Sequence, residues 1–417
     1  MIGSYLKMLQ QLAFGKEDAL VHGQTSPLLV TAMATTQAEP GTKLVIEVEA
    51  ITELISRLRG QGYEVIGPTR RDGAIVYDSV QKVEDLPAGW TDEQAPGKYR
   101  LKNNEDGALF GYTLGAQGWK RFLHPPEVKL FRVENDSDGF RIVESASAQP
   151  PPKYAFLGVR ACELAAIALQ DRVLTADWYA DPVYAGRRRN LFIVAVQCTR
   201  ASANCFCTSM GTGPQVKTGC DILLTEIAGD GRRFLVAAAG TRAGAGVLAD
   251  IGAKKAPAEA VKQADRAVEG AAAMITKRLE VSGVRELLYE QFESARWDDV
   301  ARRCLTCGNC TMVCPTCFCV TVDDASDFSG QSAERWRRWD SCFTQSFSYI
   351  HGGSVRLSPK SRYRQWLTHK LAAWQDQFGS PGCVGCGRCI TWCPAGIDIT
   401  EEVAAIRDGA QAAAARE

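Results

Sequence analysis

Two stretches of this chain, Cys304-Leu-Thr-Cys307-Gly-Asn-Cys310-Thr-Met-Val-Cys314-Pro315 and Cys383-Val-Gly-Cys386-Gly-Arg-Cys389-Ile-Thr-Trp-Cys393-Pro394, both fit C-x2-C-x2-C-x3-C-P without a mismatch. That spacing serves iron–sulfur ligation: three thiolates wrap one face of a cubane, and the fourth reaches across to a second cubane. By this cross-ligation rule one 4Fe–4S cluster takes Cys304, Cys307, Cys310 and Cys393. The other takes Cys383, Cys386, Cys389 and Cys314. Gly308 and Gly387 relieve backbone crowding where each loop closes, and each Cys-Pro pair predicts a helix leading away from the cubane. A single run could also be a zinc knuckle; two complete copies, each with its proline, argue for clusters.

The remaining thiols are less decisive. Of 16 cysteines, none lies in the first 161 residues, five fall between Cys162 and Cys220, and eleven between Cys304 and Cys393. Disulfides are disfavoured in the cytosol, so this number of thiols points to metal binding or redox chemistry. A third Fe–S site could draw on some of Cys198, Cys205, Cys207, Cys220, Cys317, Cys319 and Cys342. Spacing does not select four of them, and buried structural thiols or a reactive dithiol compete with that reading. Cys162 opens a helix directly after a strand, a position expected to lower a thiol pKa. Arg160 and Glu163 beside it could bind an anion or pair with one another.

Other chemistries find little support. The formal net charge is zero, which argues against a nucleic-acid partner. No run of about 18 apolar residues or signal layout exists, so no membrane insertion is expected and the protein reads as cytoplasmic. Gly240-Thr-Arg-Ala-Gly244-Ala-Gly246 is neither a dinucleotide fingerprint nor a phosphate-binding loop; a loop turning into a helix explains it. Four scattered histidines suggest no triad, and no catalytic residue is assigned.

The elements that must position the cysteines follow from periodicity. Residues 1–43 read as a flexible extension. Ile51, Leu54, Ile55 and Leu58 mark a helix ending at Gly60, with strands at 63–66 and 74–77. Strands at 154–159, 191–196, 222–226 and 234–238 with a helix over 161–170 suggest a mixed α/β domain over 44–255. A helical bridge (256–300) should hold a long helix from Pro257 to about Glu280. A helical, dicluster ferredoxin-like domain then spans 301–405, carrying an insertion over 315–382, and 406–417 is a tail. The class is α+β. Residues 301–370 carry ten Lys or Arg against five Asp or Glu, so Arg335, Arg337 and Arg338 could form a docking surface, compensate cluster charge, or be a solvated face.

Larger strings complete the reading. Gly62-Tyr63 with Gly67-Pro68, Asp85-Leu-Pro87, Trp119-Lys-Arg-Phe122 with Pro125-Pro126, and Gly158 to Glu163 recur in one order. So do Cys205-Phe-Cys207-Thr-Ser-Met-Gly-Thr-Gly213, Cys314-Pro-Thr-Cys-Phe-Cys319, and Arg362-Tyr-Arg-Gln-Trp366 ahead of the second cysteine run. Over residues 44–405 the chain resembles the β subunits of cytoplasmic sulfhydrogenases, the NADP-linked NiFe-hydrogenase group, and the related A subunit of anaerobic sulfite reductase. That resemblance implies a non-catalytic relay subunit. Electrons would pass between a flavin- and NAD(P)-binding partner and a hydrogenase, or sulfite reductase, catalytic partner. A sulfur- or polysulfide-reducing subunit acting directly is the alternative from the catalytic class, and a zinc-stabilised scaffold the alternative from the structural class.

Overall fold

The computed structural model describes residues 39–104, 106–136, 139–176, 179–229 and 232–415. The expected extension therefore lies, for residues 1–38, outside the described residues. Strands in chain order are β1 (Lys43–Glu47), β2 (Glu64–Arg71), β3 (Ala74–Ser79), β4 (Trp90–Ala95) and β5 (Lys98–Asn103). Next come β6 (Glu127–Asp136), β7 (Gly139–Ser145), β8 (Tyr154–Val159), β9 (Phe192–Val196) and β10 (Ile222–Gly229). Then come β11 (Arg232–Ala239), β12 (Lys254–Lys255), β13 (Val320–Ser326) and β14 (Ser332–Trp339), and last the two-residue strands β15 (Tyr349–Ile350) and β16 (Gly353–Ser354).

Eight of these form one mixed sheet in the order β12-β1-β11-β10-β9-β8-β2-β3. Its centre is parallel, β10 on β9, β9 on β8 and β8 on β2. Parallel strands are covered on both faces, which is why β8 and β9 read as unbroken apolar runs. Ala155 and Leu157 pack with Leu54, Ile55 and Leu58 of the helix Ala50–Gly60 on one face. Phe156 and Val159 pack with Trp119 and Tyr184 on the other. Leu157 and Val159 take opposite faces because the register shifts between them, at Gly158, whose φ is 98°. This bulge re-aims the chain just before Arg160 and Cys162.

Two expectations need correction. The helix from the Pro257 cap spans Ala258–Met274 and stops short of Glu280. There the backbone turns extended, Ile275 is buried, and Lys277 pairs with Asp398 in the cysteine-rich part. Nor is the 315–382 insertion all helical. Its strands β13 and β14 extend β6 and β7 into a four-stranded sheet, with Arg337 opposite Val128 and Arg338 opposite Glu127. The arginine run is paired off: within the sheet Arg335 pairs with Asp324 and Arg338 with Glu127 and Asp323, while Arg337 pairs with Asp181, the cap of the helix Pro182–Arg189. It is a self-neutralised face rather than a free basic surface.

One buried group in this region carries a pH dependence. His124 lies against Trp339 with 1% of its surface exposed and neither ring nitrogen hydrogen-bonded. Burial, then Arg337 and Lys120, push its pKa down to about 3. An unfolded imidazole binds its proton near 6.5. The stability that His124 contributes is therefore complete above about pH 6.5 and is lost progressively as the pH falls towards 3. At about pH 5 the loss is about 2 kcal/mol. Anaerobic denaturation at pH 7 and pH 5 should show a drop in the wild type that His124→Gln lacks; equal drops would exclude the assignment.

Candidate metal centre

Each cysteine run folds the same way, and the reason is local. In the first, Thr306 and Gly308 are left-handed, with φ of 51° and 75°. Gly385 and Gly387 hold the equivalent places in the second, at 63° and 76°. Two left-handed residues in a row of three force a tight coil, and only glycine adopts that shape without strain. Gly308 and Gly387 then cap the one-turn helices Asn309–Met312 and Arg388–Thr391. The coil also aims backbone donors at sulfur: Thr306 N lies 3.4 Å from Cys304 Sγ, and Gly385 N lies 3.4 Å from Cys383 Sγ.

The predicted exit helices do not form. Cys314 and Cys393 are each followed by a turn, and the next helix after Cys393, Ile399–Ala414, begins only after Gly396 at φ 63° has reversed the chain. That reversal brings Ile397 N to 3.4 Å from Cys393 Sγ. After Cys314 the chain is held by Thr316, whose hydroxyl donates to Gly382 O at 2.7 Å and contacts Cys314 Sγ at 3.1 Å.

The fold brings the cysteines together in the two crossed sets. Cys304, Cys307, Cys310 and Cys393 ring one small cavity closed by Phe343 and Tyr363. Cys389, from the opposite set, lines the same cavity. Cys314 stands among Cys383, Cys386 and Cys389 as an electrostatic neighbour of all three. Burial pushes Cys310 and Cys389 far above the ordinary thiol range and Cys383 up to about 12. Thiolates so deep require bound cations to exist, as metal ligands must be deprotonated. Among the described residues no three His, Cys, Asp or Glu side chains close to single-ion distances. Sulfurs that ring a space, with N–H groups directed at them, fit a cubane.

Sequence reasoning overlooked Lys370. It lies in the π-helical turn His369–Ala373, 5% exposed, with Nζ 3.3 Å from Cys314 Sγ and 3.6 Å from Cys317 Sγ. Burial works against its ammonium, but Cys314, Cys317, Cys383 and Cys389 hold the proton on, well above the usual lysine range. Its only signal in the sequence is its place 13 residues before the second run.

A second overlooked feature locks this centre to the sheet. Arg388 Nη2 donates to Glu163 Oε1 at 2.5 Å, and its Nε to Gly115 O at 2.9 Å. Glu163 also accepts from Trp119 Nε1 at 2.9 Å, Tyr77 Oη at 3.1 Å and Arg160 N at 3.2 Å. Glu163 thus pairs with the distant Arg388, while the Arg160 guanidinium turns to the carbonyls of Gln197, Phe110 and Tyr112.

The other cysteines separate into groups. Cys317, Cys319 and Cys342 lie near Cys314, with Lys120 and Lys370 alongside. The Cys317 thiol hydrogen-bonds to Cys314, and the Cys342 thiol hydrogen-bonds to Cys319 and holds its pKa below the ordinary thiol range. Cys198, Cys205 and Cys207 collect elsewhere, with Cys162. Cys220 stands apart, packed on the sheet with Asp221 as its charged neighbour. Cys162 overturns its expectation: burial, then Cys386 and Cys207, push its pKa up rather than down. The glycine-rich segment after β11 is the loop-to-helix turn expected, capped by Thr241, which accepts from Gly244 N at 3.1 Å.

The two cysteine runs gather in one core, and the 4Fe–4S dicluster domain family matches residues 303–397. Across most of its length the chain is similar to a sulfhydrogenase subunit. That relative, sulfhydrogenase 2 subunit beta of Pyrococcus furiosus, is 29% identical over 362 residues, covering 87% of this chain and 97% of its own. The resemblance drawn from the motifs agrees with this match. No solved structure matches the chain, and no helix among the described residues is long and apolar enough to cross a membrane.

Proposed function

We propose that the chain is the iron–sulfur electron-relay subunit of a cytoplasmic oxidoreductase of the hydrogenase type. Its place is between a flavin- and NAD(P)-binding partner and a subunit carrying the catalytic metal. The observation that carries this reading is the shared cavity wall: Cys389, a ligand of one set, lines the space ringed by the other. When bound, 4Fe–4S groups supply one-electron 2+/1+ chemistry. The residues do the rest. Cys304 to Cys310 and Cys383 to Cys389 hold each group by three ligands, while Cys393 and Cys314 tie the two sets into one unit. Phe343, Tyr363 and Trp366 exclude water from the interior side. Cys307 and the neighbouring Leu305, 66% exposed, bring the first set to the surface, where a partner can approach.

The test is to purify the complex anaerobically through a tag on this chain and quantify its cofactors. Flavin and nickel in stoichiometric amounts are expected. Sirohaem without nickel would replace the hydrogenase assignment by the sulfite-reductase one. Turnover of polysulfide by the isolated chain with an artificial donor would overturn the non-catalytic reading.

A further inference from the structure

We propose that Cys162, Cys198, Cys205 and Cys207 hold a third 4Fe–4S cluster, set in the α/β part of the chain against the second cysteine run. The four thiols come from three places. Cys162 is in the first turn of the helix Ala161–Leu174, which follows β8. Cys198 lies just beyond the end of β9, and Cys205 and Cys207 are in the turns after it. β8 and β9 are parallel neighbours, and the carboxyl ends of such strands are where open α/β sheets take their ligands. All four thiols line a single cavity, together with Cys386.

Buried cysteines that merely fill space would need no polar company. This cavity has it. Arg160 is 3% exposed and Tyr112 1% exposed; both line the space, Arg160 Nε has no hydrogen-bond partner, and the Tyr112 hydroxyl meets the Arg160 side chain. The Arg160 guanidinium otherwise meets backbone carbonyls and the Cys198 sulfur. A cubane offers what Arg160 lacks: sulfides that accept hydrogen bonds, and negative charge opposite a buried cation.

The cavity also adjoins the second set. Phe206 N donates to Gly385 O at 2.8 Å, Thr212 Oγ1 to Val384 O at 2.7 Å, and Asn204 Nδ2 to Thr391 Oγ1 at 2.9 Å. A side chain at Gly385 would put its Cβ 2.6 Å from the Phe206 and Cys207 backbone, so glycine there permits this approach. Its role rests on the relay reading: one electron passes between this site and the Cys383 set, one centre oxidised as the other is reduced, with no bond or proton changed. Cys317, Cys319 and Cys342 are a poorer candidate, three thiols whose nearest fourth, Cys314, belongs to the dicluster.

The test is iron and sulfide analysis with Mössbauer and EPR spectra on the anaerobically purified whole chain. Wild type should hold about twelve irons in three cubanes. Cys205→Ala with Cys207→Ala should hold about eight, with the dicluster spectrum intact. Cys162→Ala, a milder change from another element, should yield a 3Fe–4S signal even if the double variant does not fold. About eight irons in wild type overturns the third site alone, as does a loss of four irons confined to Cys317→Ala with Cys342→Ala. Zinc in place of iron overturns the relay reading itself.

Discussion

Glu163→Ala is expected to destabilise the chain by about 3–5 kcal/mol, far beyond the effect of an exposed ion pair. Glu163 and Arg388 are each 1% exposed. Removing the carboxylate leaves a guanidinium buried in the interface between the sheet and the second cysteine run, with Trp119 Nε1, Tyr77 Oη and Arg160 N losing their acceptor as well. The other contacts of Arg388 are the carbonyls of Gly115 and Gln117 and the Cys386 sulfur, none of them a second carboxylate. Replacing both members at once, Glu163→Met with Arg388→Met, should recover much of the loss, because no unpaired charge then stays behind. Anaerobic denaturation measures both variants. A cost below about 1 kcal/mol for Glu163→Ala would show that the pair is not what joins the two parts.

The second large effect is electronic. Lys370→Met removes a buried positive charge 3.3 Å from Cys314 Sγ. Adding an electron to the cluster makes it more negative, so the ammonium favours the reduced state, and its removal lowers the potential. At an effective dielectric near 20, a unit charge several ångströms from the cluster is worth about 2 kcal/mol, on the order of 100 mV for one electron. EPR-monitored redox titration should show one cluster shifting downward by that order and the other much less. Two unmoved potentials would mean that the charge is screened or that Lys370 does not face the cluster.

How much of this was legible in the sequence depended on the type of signal. The eight cysteines proposed as ligands follow from spacing alone, because a cubane constrains the local chain tightly. The helix at Ile51–Leu58 and the strands β8 and β9 follow from apolar pattern, since burial selects residue type directly. By contrast β6, β7, β13 and β14 are half-exposed ribbons, with Phe140, Ile142 and Val322 open to solvent. Their pattern is weak, and their pairing is non-local. Lys370 and the Glu163–Arg388 pair were invisible for a related reason: a charge becomes significant only when tertiary packing buries it. Cys162 failed in the opposite direction, because a helix terminus does not outweigh full desolvation of a thiol.

The central claim is that the two cysteine runs hold a pair of clusters by crossed ligation within one core. EPR of the dithionite-reduced whole chain tests it most directly, comparing wild type with Cys393→Ala. The wild type should show a spectrum broadened by coupling between two neighbouring one-electron-reduced clusters. In the variant, the cluster bound by the Cys304 run should be lost or converted to 3Fe–4S, while the Cys383 run keeps its cluster. Damage confined instead to the cluster of the Cys383 run would contradict the account.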